Sequence, residues 1–218
     1  MARLPLAPPT DAPPERWTRY ARYLAILTIV YNLVEGLVSM RFGWTDDSVA
    51  LFGFGADSFI EVASALLVLW KLMDHSSLVR DRRAALAIGW LFLGLGLGVA
   101  GGAILQLVAR RHPPTTLPGL VISALSAAVM FYLWRAKRAV AQALDSAAVA
   151  ADAACSRACL QLSLVLLAGS LVCLVLPVLW WADALAALGL ALLIAREGRA
   201  MVRAAQAPGF QGGCACGH

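Results

Sequence analysis

The sequence predicts an all-α fold, a polytopic membrane protein built from six transmembrane helices. Of its 218 residues, 61% are hydrophobic and 14% are charged. Soluble domains have about 45–50% apolar and about 25% charged residues. The mean hydropathy is +0.75. The apolar stretches reach the length of about 20 residues that a helix needs to cross a bilayer.

We expect the six helices at about 17–40, 48–73, 83–109, 117–140, 147–176 and 180–203. A break at Pro118 would reduce the count to five. Pro177 ends the fifth helix, because proline cannot continue a helix. Trp180 and Trp181 then suit the aromatic belt at a membrane interface.

The ends of the chain predict no folded domain beside the membrane part. Residues 1–16 are rich in proline and lack an apolar core, which is typical of a disordered arm and not of a signal peptide. Residues 17–203 form the predicted transmembrane domain. Residues 204–218 form a flexible tail that ends in Cys214, Cys216 and His218.

The basic residues predict that both termini are cytoplasmic. Most of the 18 Lys and Arg residues then fall on the N-terminal arm, on the loops after helices two and four, and on the C-terminal end. This agrees with the positive-inside rule. The formal net charge of +5 therefore indicates contact with anionic lipid, not nucleic-acid binding. The Ala-, Leu- and Arg-rich composition favours a bacterial cytoplasmic membrane.

Two carboxylates interrupt the second apolar stretch near its middle. Asp57 and Glu61 are four residues apart, so on a helix they point the same way, one turn apart. Placing an acid at bilayer depth costs roughly 3 kcal/mol or more. An acid in this position therefore predicts a functional site.

The fifth helix carries a matching polar face with Asp152, Cys155 and Cys159. Helices two and five are antiparallel in the predicted topology. A rise of about 1.5 Å per residue brings both acids of helix two and both thiols of helix five near mid-membrane. Carboxylate oxygens with cysteine sulfurs suit a tetrahedral zinc ion or a neighbouring transition metal. Magnesium and calcium prefer sites made of oxygen alone.

Two simpler interpretations compete with a metal site. A single buried Cys usually acts as a small hydrophobic side chain, but two thiols one turn apart, opposite two acids, favour ligands. Arg157 could instead neutralise Asp57, Glu61 or Asp152. Its position, about 140° around helix five from Asp152, predicts that it faces elsewhere.

Helix one adds Asn32 and Glu35 on one face. Glu35 could support the ligands, carry protons or pair with Arg157, and the sequence leaves these three roles open. Gly94, Gly98 and Gly102 recur every four residues on helix three. We assign them to close helix packing, for which small residues at this spacing are typical.

These motifs resemble those of the cation diffusion facilitator family. Its helix two carries Asp-x-x-x-Asp, where this chain has Asp57-x-x-x-Glu61. Its helix five reads Ala-Asp-x-x-His-x-x-x-Asp, where Ala151-Asp152-Ala-Ala-Cys155-Ser-Arg-Ala-Cys159 stands in register. The start of helix six at Trp-Ala-Asp183 is also similar. The chain differs in its two Cys ligands, in Glu61 and in lacking the usual C-terminal domain, as in a compact branch of the family.

The resemblance implies a transporter, not an enzyme, that exports divalent cations by proton antiport from a six-helix bundle of cation-efflux type. It implies Asp57, Glu61, Asp152, Cys155 and Cys159 as ligands. The ion, zinc by preference, is cargo, so no permanent cofactor is expected. The expected partners are the lipid bilayer, metal ions, protons and a second copy of the chain, and the Cys/His tail could collect cytosolic metal.

Two other functions remain open at this stage. Membrane thiol–disulfide transfer could use Cys155, Cys159 and the tail thiols, but it leaves the acids of helix two unexplained. A non-transporting subunit that regulates a partner would pair its acids internally with Arg157 and so close the site.

Overall fold

The chain folds into six α-helices. The computed structural model describes residues 12–45, 49–73, 78–109, 117–175 and 180–207. In chain order the helices are α1 (Pro14–Thr45), α2 (Val49–Lys71), α3 (Leu78–Val108), α4 (Leu117–Leu144), α5 (Ala147–Val175) and α6 (Trp180–Gln206). Every regular element in these ranges is helical, so the predicted all-α fold is confirmed.

Four helices, α1, α3, α4 and α6, extend beyond a predicted end, while α2 is shorter than predicted. α1 begins at Pro14, three residues before the expected start, because a proline in the first turn costs no intrahelical hydrogen bond. Glu15 follows it and complements the positive end of the helix. α4 runs unbroken from Leu117 through Pro118, which excludes the five-helix alternative. It also continues beyond the expected end to Leu144.

The helices pack as three pairs around a central contact. α1 packs against α2, α4 against α5, and α3 against α6, while α2 meets α5 between the pairs. Two glycines allow the closest approaches. A Cβ at Gly55 would lie 2.9 Å from the carbonyl oxygen of Gly36, and a Cβ at Gly198 would lie 3.1 Å from that of Gly89.

The distribution of side chains suits a bundle surrounded by lipid. Large apolar side chains point outward, as for Leu97 and Leu192, which are 76% and 73% exposed. Small polar side chains are buried instead, among them Ser58, Ser64, Ser126, Ser156 and Ser163. Lipid does not drive apolar groups inward, so small and polar residues can form the interior of such a bundle. Five of the described helices are long and apolar enough to cross a membrane, which supports the predicted membrane fold.

The predicted packing role of three glycines on α3 is wrong. In the described part of the chain, a Cβ added at Gly94, Gly98 or Gly102 would meet nothing within 4 Å. The helix contact is made instead by Gly96, where a Cβ would lie 3.3 Å from the carbonyl oxygen of Ala191 on α6. A four-residue glycine spacing marks a helix face with room beside it, but it does not say whether another helix fills that room.

Candidate metal site between helices α2 and α5

The polar side chains of α2 and α5 meet as a ladder of three pairs. The thiol of Cys159 is in hydrogen-bonding contact with the Asp57 carboxylate, and the thiol of Cys155 is in such contact with Glu61. At the third level, Ser64 Oγ donates a 2.6 Å hydrogen bond to Asp152 Oδ1. Each turn along α2 is matched by one turn back along α5, which is the register of two antiparallel helices.

All five predicted ligands lie inside the protein. Asp57 is 3% exposed, and Glu61, Asp152, Cys155 and Cys159 are each 1% exposed. Both thiols are free. None of these side chains faces lipid, so the cost of burying the acids must be offset by partners within the bundle.

Lys137 on α4 supplies the main charged partner of this ladder. Its Nζ lies 3.0 Å from Glu61 Oε1 and 2.9 Å from Asp152 Oδ2. It also donates a 2.9 Å hydrogen bond to Ser156 Oγ, and Ser156 in turn donates to Glu61. The Lys137 side chain is 2% exposed. A buried ammonium held by two carboxylates and a hydroxyl is fully partnered.

The sequence interpretation missed Lys137 by counting it among the basic residues of a cytoplasmic loop. The helical spacing of α4 does indicate that Lys137 lies on the buried face. Lys137 is seven, four and three residues from Met130, Leu133 and Val140, all of which are buried on one face of α4. The neighbouring Arg135 and Arg138 lie on the exposed side.

Two carboxylate oxygens of the ladder have no hydrogen-bond partner among the described residues. They are Asp57 Oδ2 and Glu61 Oε2, and both are buried. An unpaired buried acceptor is costly, so such groups point to a ligand or to a rearrangement. In the described ranges, no group of three or more His, Cys, Asp or Glu side chains is arranged so that it could hold a metal ion. A shared ion would therefore require these side chains to turn.

Glu35 on α1 extends the polar network toward α2 and α4. Its Oε1 accepts a 2.8 Å hydrogen bond from Tyr31, and its Oε2 accepts a 3.1 Å bond from Ser58 on α2. Ser126 on α4 also contacts Glu35, and it lies 3.2 Å from Ser163 of α5. Pairing of Glu35 with Arg157, one of its three predicted roles, is thus not observed.

Asn32 is fully buried one turn before Glu35 on α1. Its Nδ2 donates a 2.9 Å hydrogen bond to the carbonyl oxygen of Thr28. Its Oδ1 has no hydrogen-bond partner in the described part of the chain. Its predicted role as a supporting group or proton relay stays a prediction.

Arg157 leaves the ladder free, as its angular position predicted. Its guanidinium pairs with Glu197 on α6, and both side chains are more than one-third exposed. The alternative in which Arg157 neutralises Asp57, Glu61 or Asp152 is therefore wrong, because Arg157 pairs with Glu197 on the α6 side of α5. Lys137 neutralises Glu61 and Asp152 instead.

A cavity of about 220 Å³ lies beside Asp57, toward one end of the bundle. Its lining comes from α2, α3, α5 and α6, and includes Gly94, Gly98 and Gly102 together with Gln106. This end is opposite to the one where Lys137 and Asp152 lie on their helices. The glycines of α3 therefore provide space beside Asp57. The predicted tail ligands Cys214, Cys216 and His218 lie outside the described residues.

A comparison with protein families agrees with this architecture. The family model of the cation efflux transmembrane domain matches residues 83–206. The match spans α3 to α6 and includes Lys137, Asp152 and both thiols of the ladder. Members of this family are cation transporters rather than enzymes, so a transmembrane cation transporter is the general function of the chain. The protein belongs to the cation efflux, or cation diffusion facilitator, family.

Proposed function

We propose that this transporter exports divalent transition-metal cations, zinc or a close neighbour, in exchange for protons. The ion would bind between α2 and α5, to Asp57, Glu61, Cys155 and Cys159, with Asp152 one turn further along α5. Cobalt, cadmium, nickel, iron and manganese are the other candidates. The thiols favour the softer ions among them.

The observation that carries this proposal is the pair of unpartnered oxygens. Asp57 Oδ2 and Glu61 Oε2 are buried one turn apart on α2 and, among described residues, accept no hydrogen bond. Each belongs to a carboxylate whose neighbour on α5 is a free thiol. A cation that entered between them would satisfy both oxygens and gain sulfur donors from the facing helix.

The surroundings of the ladder support alternating access. The cavity beside Asp57 lies in the half of the bundle nearer the end that we propose faces outward. On the other side, Lys137 joins Glu61 of α2 to Asp152 of α5. Opening a cytoplasmic entrance would require these ion pairs to separate. The described arrangement thus suits release to the outside.

Proton exchange follows from the chemistry of the donors. Thiols and carboxylic acids must lose their protons before they bind a metal, so binding releases protons and returning protons displace the metal. One set of side chains can serve both ions in turn. Glu35, joined to α2 through Ser58, is a candidate to pass protons to this set.

Membrane thiol–disulfide transfer is a weaker candidate. Cys155 and Cys159 are both buried and free, and each contacts a carboxylate instead of a second sulfur. The regulatory-subunit hypothesis relied on Arg157, which pairs with Glu197. Both alternatives leave the unpartnered oxygens on α2 without a role.

We further propose a bacterial cytoplasmic membrane with both termini in the cytoplasm. The metal ion is then cargo and not a resident cofactor. Lipid, protons and a second copy of the chain are the proposed partners, and no nucleic acid is among them. Cys214, Cys216 and His218 would collect cytosolic metal, so truncation at Gly212 should lower the apparent uptake affinity.

Flux in reconstituted vesicles tests the proposal. The purified protein is placed in vesicles that contain a zinc indicator and a pH indicator. We expect added zinc to enter while protons leave, and we expect Asp57→Asn to abolish both signals.

Glu197→Gln provides the matched control, because it also removes an acid but at a partly exposed pair with Arg157. Its flux should remain near that of the original protein. Equal zinc flux in the Asp57→Asn protein would rule out this site.

A further inference from the structure

Lys137 already occupies part of the site with a positive charge. Its ammonium lies within 3.0 Å of Glu61 Oε1 and within 2.9 Å of Asp152 Oδ2. The ammonium donates a third hydrogen bond, of 2.9 Å, to Ser156 Oγ. Such oxygen atoms are also suitable ligands for a small cation. The ammonium donates one hydrogen bond to each of them, and three is the full number that it can donate.

The charges around Lys137 make it a partial substitute for a divalent ion. The groups that face it are Glu61 from α2 and Asp152 and Ser156 from α5. Asp57 follows one turn further along α2, with Cys155 and Cys159 opposite. Two carboxylates thus share one buried ammonium, and a third, Asp57, lies one turn beyond them. An ion that used both Glu61 oxygens would meet the positive charge of Lys137 at hydrogen-bond distance from one of them.

We propose that Lys137 is a tethered cation that competes with the transported ion for Glu61 and Asp152. Metal binding takes Glu61 away from the ammonium, which moves aside on its four-carbon chain. When the metal leaves, the ammonium returns to both carboxylates. Lys137 thereby weakens metal binding, keeps the empty acids paired and helps to expel the ion. This proposal rests on the proposed function, since it assumes a cation site at the ladder.

The same geometry explains why the ladder is not arranged around an ion site. Glu61 Oε1 points to Lys137 and Ser156, and Asp152 is held by Lys137 and Ser64. While these contacts are made, no three His, Cys, Asp or Glu side chains among the described residues are arranged so that they could hold a metal ion. Separation of the Lys137 pairs is the change that would release Glu61 and Asp152 toward the thiols.

Metal affinity of a lysine variant tests the proposal. Zinc and manganese binding to purified Lys137→Met protein is measured by titration calorimetry at mildly alkaline pH, where protons compete least for the ligands. Close charge pairs are coupled strongly enough that removing the competitor should tighten binding by about ten-fold or more.

Lys71→Met is the matched control. Lys71 is also buried, and its Nζ lies 3.6 Å from Asp81 Oδ1, away from the ladder. Its removal should leave metal affinity unchanged. A purely structural role of Lys137 would instead give equal or weaker binding in the Lys137→Met protein.

A second comparison covers the case in which Lys137→Met does not fold. The Asp152→Asn protein is compared with the Asp152→Asn, Lys137→Met protein, which keeps the net charge of the cluster at its original value. We expect the double variant to bind zinc about ten-fold more tightly than the single one.

The outcomes separate this proposal from the proposed function. Tighter binding without Lys137 supports competition. Binding of equal or lower affinity overturns competition, while metal binding by the original protein still supports the proposed site. Absence of binding in the original and in all variants overturns both.

Discussion

Asp81 on α3 accepts a 2.6 Å hydrogen bond from the hydroxyl of Ser146, the residue that precedes α5. The same carboxylate accepts hydrogen bonds of 3.1 and 3.4 Å from the backbone amides of Ala147 and Ala148. Lys71 at the end of α2 completes the cluster. A side chain from another helix thus satisfies the first amides of α5, which would otherwise lack partners. This contact ties α2, α3 and α5 together beyond the Ser64–Asp152 level of the ladder.

Asp81→Ala should therefore destabilise the bundle. It removes a cap and leaves Lys71 buried without its acid, which should cost about 2 kcal/mol or more. Thermal unfolding in detergent measures the effect. Asp145→Asn is the control, since Asp145 is exposed and its φ of 44° is one that Asn also adopts. If the melting temperature of the Asp81→Ala protein falls no more than that of the control, the cap contributes little to stability.

The two thiols of α5 should decide metal preference. In the Cys155→Ser, Cys159→Ser protein, we expect cadmium binding to weaken much more than manganese binding, because thiolate ligands favour soft ions. The serine hydroxyls keep the size of the side chains close to the original. Titration with each ion measures the ratio. An equal loss for cadmium and manganese would mean that the thiols only pack.

Glycines of α3 provide a test of the cavity. Gly98→Leu places a side chain into the open space beside Asp57, so metal flux should fall while thermal stability stays nearly unchanged. Gly96→Leu is the matched change on the opposite face. It would press on the backbone of Ala191 and should cost about 1–3 kcal/mol of stability. Full flux through the Gly98→Leu protein would argue against this route.

A substitution of Glu35 distinguishes its two remaining roles, as a proton relay or as a support for the ligands. Glu35→Gln keeps the shape of the side chain, and its single amide oxygen can still accept a hydrogen bond from Tyr31 or from Ser58. It cannot carry a proton as a carboxylate does. A relay predicts that zinc affinity persists while proton-coupled flux falls about ten-fold or more. Tyr31→Phe, which removes one donor to Glu35, should have a smaller effect. Loss of zinc affinity in Glu35→Gln would instead indicate a supporting role.

The register of α2 against α5 could be predicted because helix geometry is regular. A fixed rise per residue and an antiparallel topology predict that the two acids of α2 and the two thiols of α5 lie at one level. The structure adds which acid contacts which thiol. The periodicity of α5 also predicted that Arg157 points away from the ladder. The six helices followed from stretches long enough to cross a bilayer.

Lys137 and the glycines of α3 show what the sequence could not specify. A basic residue near a helix end is counted toward membrane orientation, yet Lys137 lies within α4 on its buried face. Its partners come from two other helices, and local spacing cannot identify them. Gly94, Gly98 and Gly102 have the spacing of a packing face, but only the placement of α6 decides that Gly96 makes the contact.

In the proposed site, oxygen donors of α2 and sulfur donors of α5 bind one ion together. X-ray absorption at the zinc edge tests this most directly, on protein truncated at Gly212 so that Cys214, Cys216 and His218 are absent. We predict a mixed shell with two sulfurs at about 2.3 Å and oxygens at about 2.0–2.2 Å. Cys155→Ser, Cys159→Ser should remove the sulfur signal, and Asp57→Asn should reduce the oxygen signal. A zinc shell without sulfur, or one that both variants leave unchanged, would contradict the account.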